Sequence, residues 1–120
     1  MKRDMDLMRA ILLKIEKAPF EGYLLEIRVP GHSDEEISYH ILLLHEARLV
    51  EAVNASSFDG VCWKAMRLTN DGHEFLDAAK DDTRWAKAKG KVVSTTGTLT
   101  LEGLKIVLSA LMRHALTGGM

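Results

Sequence analysis

The sequence predicts an α+β fold in which several helices accompany one β-hairpin. Apolar residues recur at helical spacing in residues 3–18, 34–47 and 101–116. Between residues 49 and 68, two strand-like segments flank a polar turn that contains Asp59-Gly60. The chain has 120 residues, of which 47% are hydrophobic and 28% are charged. A chain of this size and composition can bury a core without disulfides or a structural metal.

The overall charge and the cysteine content exclude several classes of protein. The formal net charge is −1, so the chain has no overall basic field and any binding to DNA needs a local patch. Cys62 is the single cysteine, which excludes an intrachain disulfide framework and a cysteine-rich zinc site. Charges interrupt the N-terminal segment, and no stretch approaches the roughly 20 apolar residues of a membrane span. We therefore expect a cytoplasmic protein with no membrane partner and no cofactor.

The first two elements are predicted to be a helix and a short strand. Residues 3–18 form the helix, which ends before Pro19 and has its apolar face at Met5, Met8, Ile11, Leu12 and Ile15. Residues 21–31 alternate between apolar and polar side chains and close with Pro30-Gly31, which predicts a strand.

A second helix is predicted to begin at about Asp34. Ser33 and Glu36 have the spacing of a capping box, in which each side chain binds the other residue's backbone N–H. On a helical wheel the apolar face comprises Ile37, Ile41, Leu44 and Ala47, with Leu43 and His40 on the same side. The wheel puts Glu35, Ser38, Leu42, His45 and Glu46 on the opposite face, with Tyr39 at the border.

The rest of the chain is predicted to be a hairpin followed by helices. Residues 49–54 and 60–68 form the two strands. Thr69 then caps a third helix. Basic residues cluster in 84–91, residues 92–98 are predicted to be a linker or loose turn, and the last helix runs from about Leu101 to Leu116.

This order of elements resembles a winged helix-turn-helix, in which a helix leads directly into a two-stranded wing. Three segments, MKRDMDLMRAILLKIE, EEISYHILLLHEARLVEA and RLTNDGHEFLDAAKDDTRW, together resemble the short bacterial and prophage proteins grouped as domain of unknown function 2513. The resemblance spans most of residues 1–85 and implies a fold but no activity. We therefore expect a winged-helix-like domain over residues 1–92 and a C-terminal helical extension over 93–120.

The chain departs from the winged-helix pattern in two places. Arg48 stands where the turn between the helix and the wing usually has glycine, and a left-handed backbone there costs a non-glycine residue roughly 1 kcal/mol. Residues 19–32 are too short and too extended for the usual supporting helix, so the motif is degenerate.

The leading functional hypothesis is a DNA-associated protein, such as a prophage-type regulator that binds double-stranded DNA. Polar and basic side chains suited to phosphates or base edges lie on the second helix, the wing and the basic segment. These candidates are Ser38, Tyr39, Leu42, His45, Arg48, Lys64, Arg67, Arg84, Lys87, Lys89 and Lys91.

The competing hypothesis is a protein-interaction module on the same scaffold. Three carboxylates, Asp34, Glu35 and Glu36, open the second helix and repel phosphate, and no Lys or Arg lies between Arg28 and Arg48. A DNA-binding protein should gather its basic residues away from these carboxylates. An interaction module should instead expose Leu42 or the last helix within a patch of mixed charge.

Neither catalysis nor metal binding has support in the sequence. No H-E-x-x-H motif occurs, and His40 on an apolar face is typical of a core histidine. We therefore expect a protein that is not an enzyme and holds no metal.

The last helix is apolar around most of its circumference, which favours a homodimer or contact with another protein over burial within one domain. The candidate interface residues are Leu104, Val107, Leu108, Leu111, Met112 and Ala115.

Overall fold

A computed structural model describes residues 1–20 and 22–118 and shows an α+β fold. Within these residues the elements are α1 (Met5–Lys17), α2 (Asp34–Glu46), β1 (Val50–Asn54), β2 (Trp63–Leu68), α3 (Asn70–Ala79), α4 (Asp82–Thr96) and α5 (Leu101–Leu116). The chain forms two compact units, one over Met1–His73 and the other from Glu74 onward. No helix in the described ranges is long and apolar enough to cross a membrane.

The first unit packs α1 and α2 against the hairpin. Its core consists of Met5, Leu7, Met8, Ile11, Leu12, Ile15, Ile37, Ile41, Leu44, Leu49, Val50, Ala65 and Leu68. The α2 capping box is confirmed, since the Ser33 hydroxyl accepts from the Glu36 N–H and the Glu36 carboxylate accepts from the Ser33 N–H. His40 is confirmed as a buried core residue with both ring nitrogens hydrogen-bonded.

The hairpin is antiparallel and contains an irregularity between Glu51 and Ala52. On its other side, β2 meets the described residues 22–31 at one bridge, where the Leu25 N–H donates to the Ala65 carbonyl at 2.8 Å. The predicted strand over 21–31 is therefore wrong beyond this residue. Gly22 and Gly31 have positive φ, which breaks the extended backbone at both ends. Glu21, where the strand was expected to begin, lies outside the described residues.

The predicted linker over residues 92–98 is also wrong, because α4 continues to Thr96. Val92 is 2% exposed, and its packing outweighs the weak helix propensity of the surrounding β-branched residues. The Thr96 hydroxyl lies within hydrogen-bond distance of two carbonyls, that of Val92 at 2.9 Å and that of Thr98 at 2.8 Å, and can donate its proton to either. The helix ends at Gly97, which has φ 79 and takes the left-handed C-cap position.

Arg48 has φ 64, so it adopts the left-handed conformation that the sequence predicted to be strained. We expect Arg48→Gly to raise the free energy of unfolding by about 0.5–1 kcal/mol, because glycine adopts this conformation without a Cβ clash. Urea denaturation checks the change. Arg48→Ala should give no such gain, since alanine retains the Cβ, and an equal gain from both variants would contradict the assignment to strain.

Candidate functional site

Ser38 does not lie on an open face of α2. Its side chain is buried, and its hydroxyl accepts a hydrogen bond from the Trp63 N–H at 2.7 Å. The helical wheel put Ser38 on the outer face, and this placement is wrong because β2 packs there and its first backbone N–H needs an acceptor. The hydroxyl therefore holds α2 to the hairpin.

The other predicted DNA-facing residues of α2, namely Tyr39, Leu42 and His45, are half-buried. The His45 ring centre lies 5.3 Å from that of Trp63, and its Nδ1 is buried with no hydrogen-bond partner. Tyr39 meets the His40 ring edge-on at 5.8 Å, and Leu42 is half-buried. The exposed charged residues of α2 are acidic, namely Asp34, Glu35 and Glu46.

The two candidate DNA-binding residues of β2, Lys64 and Arg67, are paired with glutamates. The Lys64 ammonium donates to Glu26 at 2.6 Å, and this hydrogen bond lowers the pKa of Glu26 and raises the pKa of Lys64. Arg67 donates to both carboxylate oxygens of Glu51, at 2.8 and 3.1 Å. Of the three basic residues of this unit that were predicted to contact DNA, Lys64 and Arg67 are thus paired. The third, Arg48, is exposed just beyond the end of α2. Residues 1–73 carry nine Lys or Arg and twelve Asp or Glu, a formal charge of −3.

A cavity of about 440 Å³ adjoins the N-terminus of α2. It is lined by Lys14, Arg28, His32 and Asp34, together with Val29, Pro30, Gly31 and Ile37. Lys14 and Arg28 bring two positive charges to this lining and Asp34 brings one negative charge.

Glu36 offers a pH-dependent prediction at this end of α2. Two hydrogen bonds lower the pKa of Glu36. The larger effect comes from His32, whose Nδ1 lies 3.1 Å from the Glu36 Oε2, and the smaller from the Ser33 N–H. Because the pKa of Glu36 is lower in the folded protein than in the unfolded chain, its ionised carboxylate stabilises the fold at pH values above the ordinary glutamate pKa. This stabilisation is lost as the pH falls through the pKa of the folded protein. We expect His32→Ala to move the Glu36 midpoint upward in an NMR-detected carboxyl titration. An unchanged midpoint would mean that this hydrogen bond is not formed in solution.

The basic segment predicted over residues 84–91 lies on α4. Arg84 donates to the Ala78 carbonyl at 3.1 Å, and the Lys89 ammonium lies 5.8 Å from the Trp85 ring centre. Trp85 is 4% exposed and packs in a core. Lys87 and Lys91 are exposed one turn apart, and no carboxylate of the described residues pairs with either.

Helices α4 and α5 pack closely at their connected ends. A Cβ added to Gly103 would lie 2.8 Å from a Val92 methyl group, so the absence of a side chain permits this approach. Leu104 and Leu108 are fully buried in the second unit. While this unit stays folded, neither side chain can contact a second subunit. Of the other predicted interface residues, Ala115 is exposed and Val107, Leu111 and Met112 are half-buried.

Between the two helices lies an open apolar groove of about 390 Å³, which we call the α4–α5 groove. It is lined by Lys87, Lys91, Ile106, Val107, Ala110 and Leu111. Ile106 is 62% exposed and, like Ala110, lies outside the predicted interface. Helical spacing places both on a flank of the apolar stripe, four positions apart on one face of α5.

The described residues contain no group of three His, Cys, Asp or Glu side chains placed to hold a metal ion.

A family model described as "Hypothetical protein (DUF2513)" matches residues 2–98. A protein of Haemophilus influenzae named "Uncharacterized protein" is 38% identical over 117 residues, which cover 97% of this chain and 99% of the relative. No solved structure matches the chain.

Proposed function

The chain belongs to the DUF2513 family, and from its geometry we propose that it is a non-catalytic module that binds another protein through the α4–α5 groove. The observation that carries this proposal is the groove itself, whose lining is apolar except for two lysines. Exposed apolar surface rimmed by polar residues is typical of protein-binding sites. A groove between two helices suits an amphipathic helix laid into it.

The scaffold of this module is winged-helix-like in our proposal. Helix α2 is followed directly by the hairpin, and α1 packs against both α2 and β2. The usual supporting helix has no counterpart in the described residues between α1 and α2. The α2 surface supports a scaffold role rather than base reading. Ser38 is hydrogen-bonded to β2, His45 packs on the Trp63 ring of β2, and the exposed charges of α2 are negative.

A second candidate function is association with double-stranded DNA through α4. Lys87 and Lys91 are free to meet phosphates, and Arg84 and Lys89 lie on the same helix. Such contacts would be sequence-independent and would weaken steeply with salt.

A homodimer formed through the exposed apolar face of α5 is an alternative to binding of another protein. Its interface would comprise Val107, Leu111, Met112 and Ala115 together with Ile106 and Ala110. Light scattering after size exclusion, at two protein concentrations about twentyfold apart, distinguishes a dimer from a monomer that keeps the groove open.

The proposal is tested by NMR titration of ¹⁵N-labelled full-length protein with an uncharged amphipathic peptide that is long enough to form an isolated helix, about 18 residues. We expect shift changes at Ile106, Val107 and Ala110. The variant Ala110→Gln should weaken binding by about tenfold, because its longer side chain fills the groove from an exposed position. Shift changes confined to α2 or β2, or none at all, would contradict the proposal.

A further inference from the structure

Positive charge is concentrated in the two helices that form the groove. Residues 82–118 contain six Lys or Arg and two Asp or Glu, a formal charge of +4. Residues 1–81 contain ten Lys or Arg and fifteen Asp or Glu, a formal charge of −5. The near-neutral total therefore conceals a basic α4–α5 pair.

The unpaired charges lie along the groove. Lys87 and Lys91 form the α4 rim, four positions apart and thus on one face of the helix. On α5, Arg113 follows Ile106 by seven positions, which places it two turns further along the same side. No carboxylate of the described residues neutralises these three side chains. An occupant of the groove would meet an apolar floor with these three cations beside it and with one carboxylate, Glu102, one turn before Ile106.

We infer that the α4–α5 groove receives an amphipathic helix of another protein that carries two acidic residues one turn apart beside its apolar stripe. The inference rests on the proposed function and adds the chemistry of the partner. Two carboxylates at i and i+4 match the spacing of Lys87 and Lys91. The α5 lining from Ile106 to Leu111 rises by about 8 Å, which corresponds to roughly a turn and a half of partner helix.

A second copy of this chain is a poorer match for the groove. Symmetric pairing across α5 would bring two helix pairs of charge +4 together, and α5 itself offers only the Glu102 carboxylate against Lys105 and Arg113. Like charges facing each other oppose such an association and favour an acidic partner.

The inference is tested with two labelled helical peptides of equal length that share one apolar stripe. One carries Glu pairs one turn apart, and its twin carries Lys at the same positions. Fluorescence anisotropy at about 50 mM salt, where charges are weakly screened, measures the binding of each to the full-length protein. We expect the Glu peptide to bind at least about tenfold more tightly than the Lys peptide, and we expect this preference to shrink at about 500 mM salt.

Two charge-reversal variants assign the preference to the groove. Lys87→Glu combined with Lys91→Glu should abolish or reverse it. Lys2→Glu combined with Arg3→Glu makes the same change in net charge at two exposed N-terminal positions and should leave it intact. Circular dichroism shows whether each variant retains its helices, and the Lys peptide provides a second check, because it should bind the Lys87/Lys91 variant more tightly than wild type.

The possible outcomes separate the inference from the proposed function. If both peptides bind equally and Ala110→Gln weakens both, the groove is a docking site and the inference about charge is wrong. If neither peptide binds, both are wrong. If a mixed-sequence DNA duplex binds through Lys87 and Lys91 while the peptides do not, the inference is overturned in favour of nucleic acid.

Discussion

Gly72→Ala is expected to destabilise the protein by about 3 kcal/mol, which lowers the melting temperature by about 10 °C. A Cβ on Gly72 would overlap the Leu49 carbonyl oxygen and lie 3.0 Å from the carbonyl carbon. Backbone atoms cannot move aside as a flexible side chain can, so the first turn of α3 must shift away. The same carbonyl accepts the Thr69 N–H at 3.0 Å, and this hydrogen bond should weaken with the shift.

Gly90→Ala is the matched control for this substitution. Gly90 lies within α4, and nothing is within 4 Å of a Cβ added there. Alanine in an exposed helix interior is favoured over glycine by about 1 kcal/mol, so this variant should be slightly more stable than wild type. Thermal and urea denaturation compare the two. If Gly72→Ala lies within about 0.5 kcal/mol of wild type, the range of an ordinary surface substitution, α3 does not approach Leu49 as described.

His40→Leu is expected to destabilise the protein by about 1–3 kcal/mol, although leucine is of similar size and suits an apolar core. His40 is 1% exposed. Its Nε2 accepts from the Asp4 N–H at 2.8 Å, and its Nδ1 donates to the Glu36 carbonyl at 2.7 Å. Leucine leaves the Asp4 N–H at the start of α1 without this acceptor.

Two further variants isolate this effect. His40→Ala adds a cavity to the lost hydrogen bonds and should cost about 3–5 kcal/mol. His114→Leu, at an exposed position on α5, should stay within about 0.5 kcal/mol of wild type. Equal stability of His40→Leu and wild type would show that the two hydrogen bonds make no net contribution.

Local signals in the sequence predicted the starts of α2 and α3 and the hairpin, but no helix at α4. The capping box at Ser33 and Glu36 and the hydroxyl cap at Thr69 follow from short-range rules, and both are present. Short-range rules could not decide whether the strand predicted between α1 and α2 pairs with the hairpin. Its side chains alternate, but among its described residues the bridge to β2 forms at Leu25 alone. The partner in that bridge is Ala65, which lies far along the chain, so local alternation does not reveal the extent of pairing.

The candidate DNA surface was less predictable because each of its charges depends on a distant partner. Glu51 lies opposite Arg67 only after the hairpin register is known, and that register includes an irregularity at the next position. Glu26 reaches Lys64 across the Leu25 bridge. A helical wheel likewise cannot show that a backbone N–H of β2 needs the Ser38 hydroxyl.

The apolar excess of α5 was predictable, but the division of its residues between core and surface was not. Leu104 and Leu108 are buried in the second unit, and Ile106 and Ala110 remain exposed. This division depends on α4 extending to Thr96, where the sequence predicted a linker. The groove therefore emerges only when both helices are known.

The measurement that tests the central claim most directly is fluorescence anisotropy with a mixed-sequence DNA duplex at about 50 and about 200 mM salt. The claim is that α2 and the hairpin form a scaffold and that the partner is a protein. It predicts dissociation constants weaker than about 100 μM at about 200 mM salt and no dependence on Arg48 at either salt. Micromolar binding at about 50 mM salt that weakens steeply with salt and is lost in Arg48→Glu would contradict it, because the DNA would then contact the helix end.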